Sequence, residues 1–297
     1  MSMNTNSLTT GTTSCVHDND TIARIALACA GVSGDPTVAI AIEMMGGAVP
    51  FVAAVHDRRD AALPLSTATR GCIRGFATAS RVIAALDVMA RNQLAVITPL
   101  NHEWPDQVSC LLRSAPLILW TQGNELRCPS IAVTGTATPS AFGIQMTLEL
   151  ATGLAQRDWV IAAGAGAGVD ELALKGAAAM GGRTIMVAAV GLDLIGSPER
   201  NVGGVRVSEA PPTSPVTVRG QRRAKHLLAA LATKVIIVEA ALSSGALRTG
   251  EAAHAMSRPV GVVAGPPAGP ATEGCRRLAR LHDVAVVSSI TDADRLQ

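Results

Sequence analysis

The chain of 297 residues contains no tyrosine, three phenylalanines and three tryptophans. A nucleic-acid surface built on rows of stacked bases is therefore excluded. Any affinity for a single strand must come from phosphate contacts and fall steeply with salt. Charge is also scarce. Charged residues make up 16% of the chain and the net charge is +2, so attraction for a polyanion needs a local patch. The six cysteines, Cys15, Cys29, Cys72, Cys110, Cys128 and Cys275, form no C-x-x-C pair and have no histidine at zinc spacing. They read as scattered buried thiols of a reducing cytoplasm, and no metal site or cofactor is expected. The N-terminus MSMNTNSLTTGTTSC lacks a basic segment followed by an apolar one, so it is no secretory signal. The most apolar region, Ile22 to Val55, is broken by Asp35, Pro36, Glu43 and Pro50 and is no membrane span. A Walker A motif and the G-x-G-x-x-G fingerprint are both missing, which excludes ATP hydrolysis by that route and a nicotinamide site.

Against these absences, one stretch stands out: WVIAAGAGAGVDELALKGA, Trp159 to Ala177. An apolar run of strand length leads into Gly164, Gly166 and Gly168. Val169, Leu172, Ala173, Gly176 and Ala177 then recur at helical spacing. The pattern predicts strand, glycine turn and amphipathic helix. Such a turn presents backbone N–H groups at a helix N-terminus, where the dipole favours an anion. A turn that binds nothing is the plain alternative. Asp170, in the first turn, serves equally well as a helix cap or as a ligand.

The rest of the chain supplies the frame. Residues 1–18 read as a disordered tail. Residues 19–99 read as a small helical domain: IARIALACAG and VAIAIEMMGG flank a Gly-Asp-Pro break, HDRRDAALP is a loop, and a helix runs from about Ala77 to Asn92. Short strands are expected at Leu94 to Thr98 and Leu117 to Trp120. From Ser130 onward apolar strands alternate with helices: SIAVT, WVIAA, TIMVAAV, VRV, KVIIVEA, PVGVVAG and VAVVS. Residues 100–297 thus read as an α/β unit, an extended Rossmann-like, mostly parallel sheet with helices on both faces.

Right-handed crossovers put the carboxyl ends of parallel strands on one edge, where ligands bind. Gly135-Thr136, Gly164 to Gly168 and Ser243-Ser244-Gly245 all follow strands and precede helices, so all three turns are expected there. Arg248 and Thr249 lie in the first turn after Ser244-Gly245. The segment VRGQRRAKH adds Arg219, Arg222, Arg223 and Lys225 at the start of a helix expected from about Arg223 to Ala232. Cations at a helix N-terminus oppose its dipole, which suggests an external anion as their partner. A solvated basic turn is the alternative. Lys175 is the remaining candidate cation and reads as an ordinary surface lysine. Phe142 is the one aromatic expected near the edge.

In order and spacing these segments resemble the DprA/Smf family of DNA-processing proteins, from about Leu94 to the C-terminus. HEWPDQVSCLLRSAPLILWTQGN is similar to the family's Y-P-x-x-L…P-x-x-L-x-x-x-G-n, VTGTATPSAFG to V-G-S-R-x-x-T-x-Y-G, and AGAGAGVDELALKGA to S-G-x-A-x-G-I-D-x-x-A-H-x-G-A. Val207-Ser208-Glu209 matches the family's S-E, VIIVEAALSSGALRTGEAAHAMSRPVGVVAG resembles V-V-E-A…S-G-S-L-x-T-A…V-P-G, and TEGCRRLARLHDVAVVSS resembles the closing segment. The resemblance implies a single-stranded DNA-binding, dimerising mediator that helps load a RecA-type recombinase. The C-terminal winged helix of many members is not expected, since there is no room for it after Gln297. Ala137 and Ala167 stand where the family carries arginines, Leu174 where it carries histidine, and QRRAKH where it carries F-P-x-R-N-R. The phosphate-binding candidates are therefore the three turns, Thr136, Ser244, Arg248 and Thr249, Lys175 and the shifted cluster Arg219, Arg222, Arg223 and Lys225. The rival reading is a nucleotide binder or nucleoside-monophosphate N-glycosidic hydrolase of the lysine-decarboxylase-like family. In SGALRTGEAA, however, its G-G-x-G-T-x-x-E pattern lacks a glycine and Glu251 is displaced. A pocket that serves only as a protein-interaction scaffold is a third possibility.

Overall fold

The computed structural model describes residues 18–123, 126–196, 204–263, 265, 272–281 and 283–297. The tail expected over residues 1–18 therefore lies outside the described residues, apart from Asp18. Five helices come first: α1 (Asn19–Cys29), α2 (Pro36–Met45), α3 (Ala48–His56), α4 (Thr67–Phe76) and α5 (Ala79–Asn92). Their starts follow local chemistry. Asp18 accepts from the Thr21 N–H at 2.7 Å, Asp35 accepts from the Thr37 N–H with Pro36 opening the helix, and Ser66 accepts from the Thr69 N–H at 3.0 Å. Helices α3 and α4 are additions to the two helices and a loop read from the sequence. Gly46 and Gly47 split one apolar run into α2 and α3, with Gly46 left-handed at φ 74°. Helix α4 carries Gly71 and Gly75, which weaken its intrinsic tendency. Tertiary contacts hold it: Ile73 is fully buried, and Arg70 and Arg74 both reach the buried Asp60.

The strands are β1 (Ala95–Ile97), β2 (Leu119–Gly123), β3 (Ser130–Thr134), β4 (Val160–Gly164), β5 (Thr184–Ala188), β6 (Val205–Ser208), β7 (Lys234–Ile237), β8 (Val260–Val263) and β9 (Val284–Val287). They form one sheet in the order β1-β2-β6-β5-β4-β3-β7-β8-β9. β2 runs antiparallel to both β1 and β6, and every other pairing is parallel. The expected α/β architecture is thus observed. All five residues of β3 are buried, as a strand covered on both faces requires.

Side chains divide by strand alternation. Ile131, Val133, Ile161 and Ala163 pack with α6 (Ala141–Ala155) and α7 (Val169–Ala179) on one face. Ala132, Val160, Ala162 and Val187 pack on the other with α8 (Val218–Leu231) and α9 (Gly245–Ala255). The N-terminal helices share a third core with Leu117, Ile118 and Trp120. Helices α10 (Glu273–Leu278) and α11 (Ile290–Asp294) flank β9 in sequence. Among the described residues no single helix is long and apolar enough to cross a membrane.

Helix α8 begins five residues earlier than the pattern indicates. Thr217 caps it by accepting from the Gly220 N–H at 2.9 Å. A Cβ at Gly220 would lie 2.9 Å from the Ala189 carbonyl oxygen, so the glycine lets the helix settle onto the loop after β5. The basic residues therefore occupy its first two turns instead of preceding it.

Candidate nucleic-acid interface

Chain direction in the parallel strands brings the turns after β3, β4 and β7 to one edge, and they touch. β3 lies between β4 and β7. The Val169 N–H donates to the Thr136 carbonyl at 3.1 Å, which joins the first turn to the start of α7. Glu239, just beyond β7, accepts from the Ser140 N–H at 2.9 Å and the Ser140 hydroxyl at 2.6 Å. This almost fully buried carboxylate fixes the start of α6. Ser140 in turn caps α6 through the Gly143 N–H. The crossover reverses between β3 and β7, the position where open α/β sheets bind ligands.

The glycines answer first to internal packing. Gly168 sits at φ 77°, and a Cβ there would come within 2.5 Å of Thr136 and Ala137 backbone atoms. A Cβ on Gly164 would lie 2.6 Å from Asp170 Oδ2, and one on Gly135 2.6 Å from the Val169 side chain. Gly166 is exposed, and its Cβ would stand 3.2 Å from Asp170 Oδ2. Two amides of the turn are also used internally: Ala165 donates to Val187 and Val169 to Thr136. The turn therefore offers fewer free donors than its sequence suggests, and part of its glycine content serves to admit a carboxyl group.

That carboxyl group is Asp170. Helix α7 starts at Gly168 without a side-chain cap, so Asp170 is no N-cap. Asp170 lines a cavity of about 240 Å3, and its Oδ1 atom is buried. Thr134 at the end of β3, Gly164 and Gly166, Gln221 and Lys225 from α8 and Thr249 from α9 contribute to the lining. Burial pushes Asp170 up to about 6, against hydrogen bonds from the Thr134 side chain and Gly164 backbone and the charge of Lys225. Oδ1 has no hydrogen-bond partner among the described residues. The Lys225 side chain extends to Gly245 at the start of α9.

The basic cluster divides in two. Arg223 is half-buried and bonded to the buried Glu209, with Nε and Nη2 each 2.5 Å from Oε2. Its other contacts are the Gly34 carbonyl at 3.2 Å and the Ser114 carbonyl at 3.3 Å. Burial raises the Glu209 carboxyl, with Arg223 and then Arg219 opposing. Arg219 also reaches the Ser33 carbonyl at 3.5 Å. Arg223 thus ties α8 to the α1–α2 turn and its internal partners replace the external anion expected for it, whereas Arg219 is exposed and its long contact to Ser33 leaves it open to solvent. Lys225 faces the cavity, and Arg222 and Arg248 are exposed. Lys175 falls away from the cavity, paired with Glu171 at 2.6 Å on the exposed side of α7. Ser244 caps α9 through the Leu247 N–H at 3.1 Å, and the Thr249 hydroxyl donates to the Gly245 carbonyl at 3.3 Å. Glu251 faces Arg277 at 3.1 Å and does not line the cavity.

Thr134 and Gln221 are lining residues that sequence reasoning missed. Thr134 is visible only as the polar last residue of a strand, and Gln221 only through its four-residue spacing from Lys225.

Residues 95–295 match the family model described as DNA recombination-mediator protein A. The chain belongs to that family. A putative DNA processing protein DprA from Mycobacterium tuberculosis is 32% identical over 235 residues, covering 70% of this chain and 58% of the relative. The DNA processing protein DprA of Streptococcus pneumoniae is 31% identical over 175 residues, 55% of this chain and 61% of the relative. This chain thus spans little more than half the length of such relatives. The X-ray structure of Streptococcus pneumoniae DprA superposes with a TM-score of 0.68 at 23% identity, covering 92% of this chain and 96% of that one. The Helicobacter pylori DNA processing protein A, from a study of its single-stranded DNA binding mode, gives 0.59 at 24%, covering 67% and 93%. Both share the fold. Against the family pattern, Ala137 and Ala167 are exposed on the same rim, so that rim lacks two guanidinium groups.

Proposed function

We propose that this protein binds single-stranded DNA along the rim formed by the turns after β3, β4 and β7 and acts as a recombination mediator. The observation that carries the reading is the contact among those turns, beside a cavity lined by the Gly164–Gly166 turn and by Lys225 of α8, with Arg222 and Arg248 exposed on α8 and α9. Family membership and the single-stranded DNA named for the Helicobacter pylori relative support it. Backbone phosphates meet Lys225, Arg222 and Arg248. The Gly166 turn and the start of α9 bring the strand's backbone close to the main chain. In this reading the helices before residue 99 form a supporting unit, and Arg223 docks them onto α8. The protein works in the cytoplasm as a homodimer, delivers its strand to a RecA-type recombinase and performs no catalysis.

The test is binding of a fluorescent oligothymidine at rising salt, beside a duplex of equal length. The expected result is binding at low salt, with preference for the single strand and an affinity that falls by orders of magnitude as salt rises. No binding even at low salt overturns the proposal. Incubation with nucleoside monophosphates is expected to release no free base.

A further inference from the structure

A second cavity of about 240 Å3 lies between the end of α1, the ends of β5 and β6 and the first turns of α8. Its wall is mostly small and apolar: Ala28 of α1, Ala188 of β5, and Ala210, Pro211 and Pro215 after β6. Two charged groups in that wall are incompletely used. Glu209 is 9% exposed and lines the cavity. Arg223 reaches it through Nε and Nη2, and both contacts fall on Oε2. Among the described residues no donor reaches Oε1, yet that atom is not fully enclosed as Asp170 Oδ1 is. A carboxylate oxygen largely removed from water and given no donor is costly, and a ligand that supplies a donor removes that cost. Arg219 is the other group. Burial raises the Glu209 carboxyl and the charges of Arg223 and Arg219 oppose this, so Arg219 stands close to the same carboxylate. Among the described residues its one hydrogen bond is the long contact to the Ser33 carbonyl at 3.5 Å, which leaves most of its guanidinium donors open.

The cavity thus offers an acceptor and a cation across an aliphatic wall. A simple anion at Arg219 would stand beside a carboxylate and leave Oε1 without a donor. A simple cation at Oε1 would face two guanidinium groups. A molecule with an ammonium and a carboxylate on one carbon satisfies both groups and adds no net charge. Size points the same way, since the volume falls below the roughly 300–1,000 Å3 that encloses a drug-sized ligand. We propose that this cavity binds a free aliphatic α-amino acid, its ammonium donating to Glu209 Oε1, its carboxylate paired with Arg219 and its side chain against the alanine and proline wall. The bound molecule touches the α1–α2 turn and α8 together, and so strengthens the docking of the helical unit. The site lies outside the DNA-binding reading and does not depend on it.

The test is titration calorimetry of the full chain with L-leucine and three probes that each lack one feature. Leucinamide has no carboxylate, 4-methylpentanoate has no ammonium and glycine has no side chain. The expected result is that leucine binds and raises the thermal midpoint, while leucinamide and 4-methylpentanoate each bind about tenfold or more weakly, the loss due to one hydrogen bond to a charged group. Glycine is expected to lose about tenfold as well, through the apolar area it leaves unburied. Arg219→Ala removes an exposed side chain and is first checked by circular dichroism. It is expected to bind leucine and leucinamide alike, near the weaker affinity. The ammonium half is read from 4-methylpentanoate on the parent protein, because changing Glu209 would also strand Arg223. No binding of leucine up to about 10 mM overturns the inference, and so does equal binding of leucine and the truncated probes. A preference for leucine over leucinamide that survives in a folded Arg219→Ala overturns it too. Each of these failures leaves the DNA reading standing.

Discussion

Asp60 and the Oδ1 atom of Asp170 are both buried, in opposite ways. Asp60, between α3 and α4, is 3% exposed and receives Arg70 Nε at 2.9 Å and Arg74 Nη2 at 2.7 Å, one on each oxygen. The same arginines donate to the Asp60, Leu63 and Val55 carbonyls, so donors and acceptors around Asp60 are matched. Among the described residues Asp170, at the start of α7, has no ion pair with a guanidinium, keeps Oδ1 without a hydrogen-bond partner and lines a cavity. A buried charge that is fully paired holds structure, and removing one member leaves the others stranded. A buried charge left incomplete beside a cavity costs stability, which is the pattern expected where a ligand completes it. The comparison separates a structural region from a candidate site without reference to any relative.

The largest effect expected is at Asp60. Asp60→Ala strands two arginines and should lower the unfolding free energy by about 3 kcal/mol or more in a urea titration. DNA binding of the folded fraction should be unchanged. A loss below about 1 kcal/mol removes the contrast between the two aspartates.

Asp170 should behave in the reverse sense. Its folded-state value, about 6, lies above the ordinary 3.8. The favourable contribution is therefore fully present below pH 4 and lost as pH rises through 6. A rise of that size corresponds to roughly 3 kcal/mol. Asp170→Asn should be more stable than the parent protein at pH 7 and should flatten the slope between pH 4 and 7. Glu209, also raised by burial, adds a slope of the same sign in both proteins, so the difference between them isolates Asp170. An unchanged pH profile in Asp170→Asn shows that the carboxyl is not held at a raised value.

The divided basic cluster makes a smaller prediction. Arg222→Ala should weaken oligothymidine binding by about threefold to tenfold with little change in thermal midpoint, since its side chain is exposed. Arg223→Ala should act first on stability, because it leaves Glu209 buried without its partner. The smallest effect is expected for Lys175→Ala, which breaks only an exposed pair with Glu171 and should change binding less than twofold. A Lys175 effect exceeding that of Arg222 would move the DNA path onto α7.

The parts legible in the sequence are those set by local pattern. Strands β3, β4 and β7 are continuous apolar runs, and the turns after them could be placed on one edge before any coordinates. Helix α4 was not legible, because its two glycines argue against a helix and its arginines are held by groups outside it, the Asp60 carboxylate and the Val55 and Leu63 carbonyls. The start of α8 was missed because Gly220 reads as a breaker, whereas it permits close approach to Ala189. The fate of Arg223 depends on Gly34 and Ser114, more than a hundred residues away in the chain. Basic spacing alone could not separate it from Lys225, which lies on the same helix but faces the cavity.

The central claim is that a rim of cations around the Asp170 cavity holds the backbone of a single strand. Its most direct test is the slope of log binding constant against log salt for oligothymidine, measured for the parent protein and for Arg222→Ala, Lys225→Ala, Arg248→Ala combined. Each phosphate contact on a single strand contributes about 0.7 to the slope, so losing three should make it shallower by about 2. An identical slope in a folded triple variant would contradict the account, because the phosphates would then be held somewhere else.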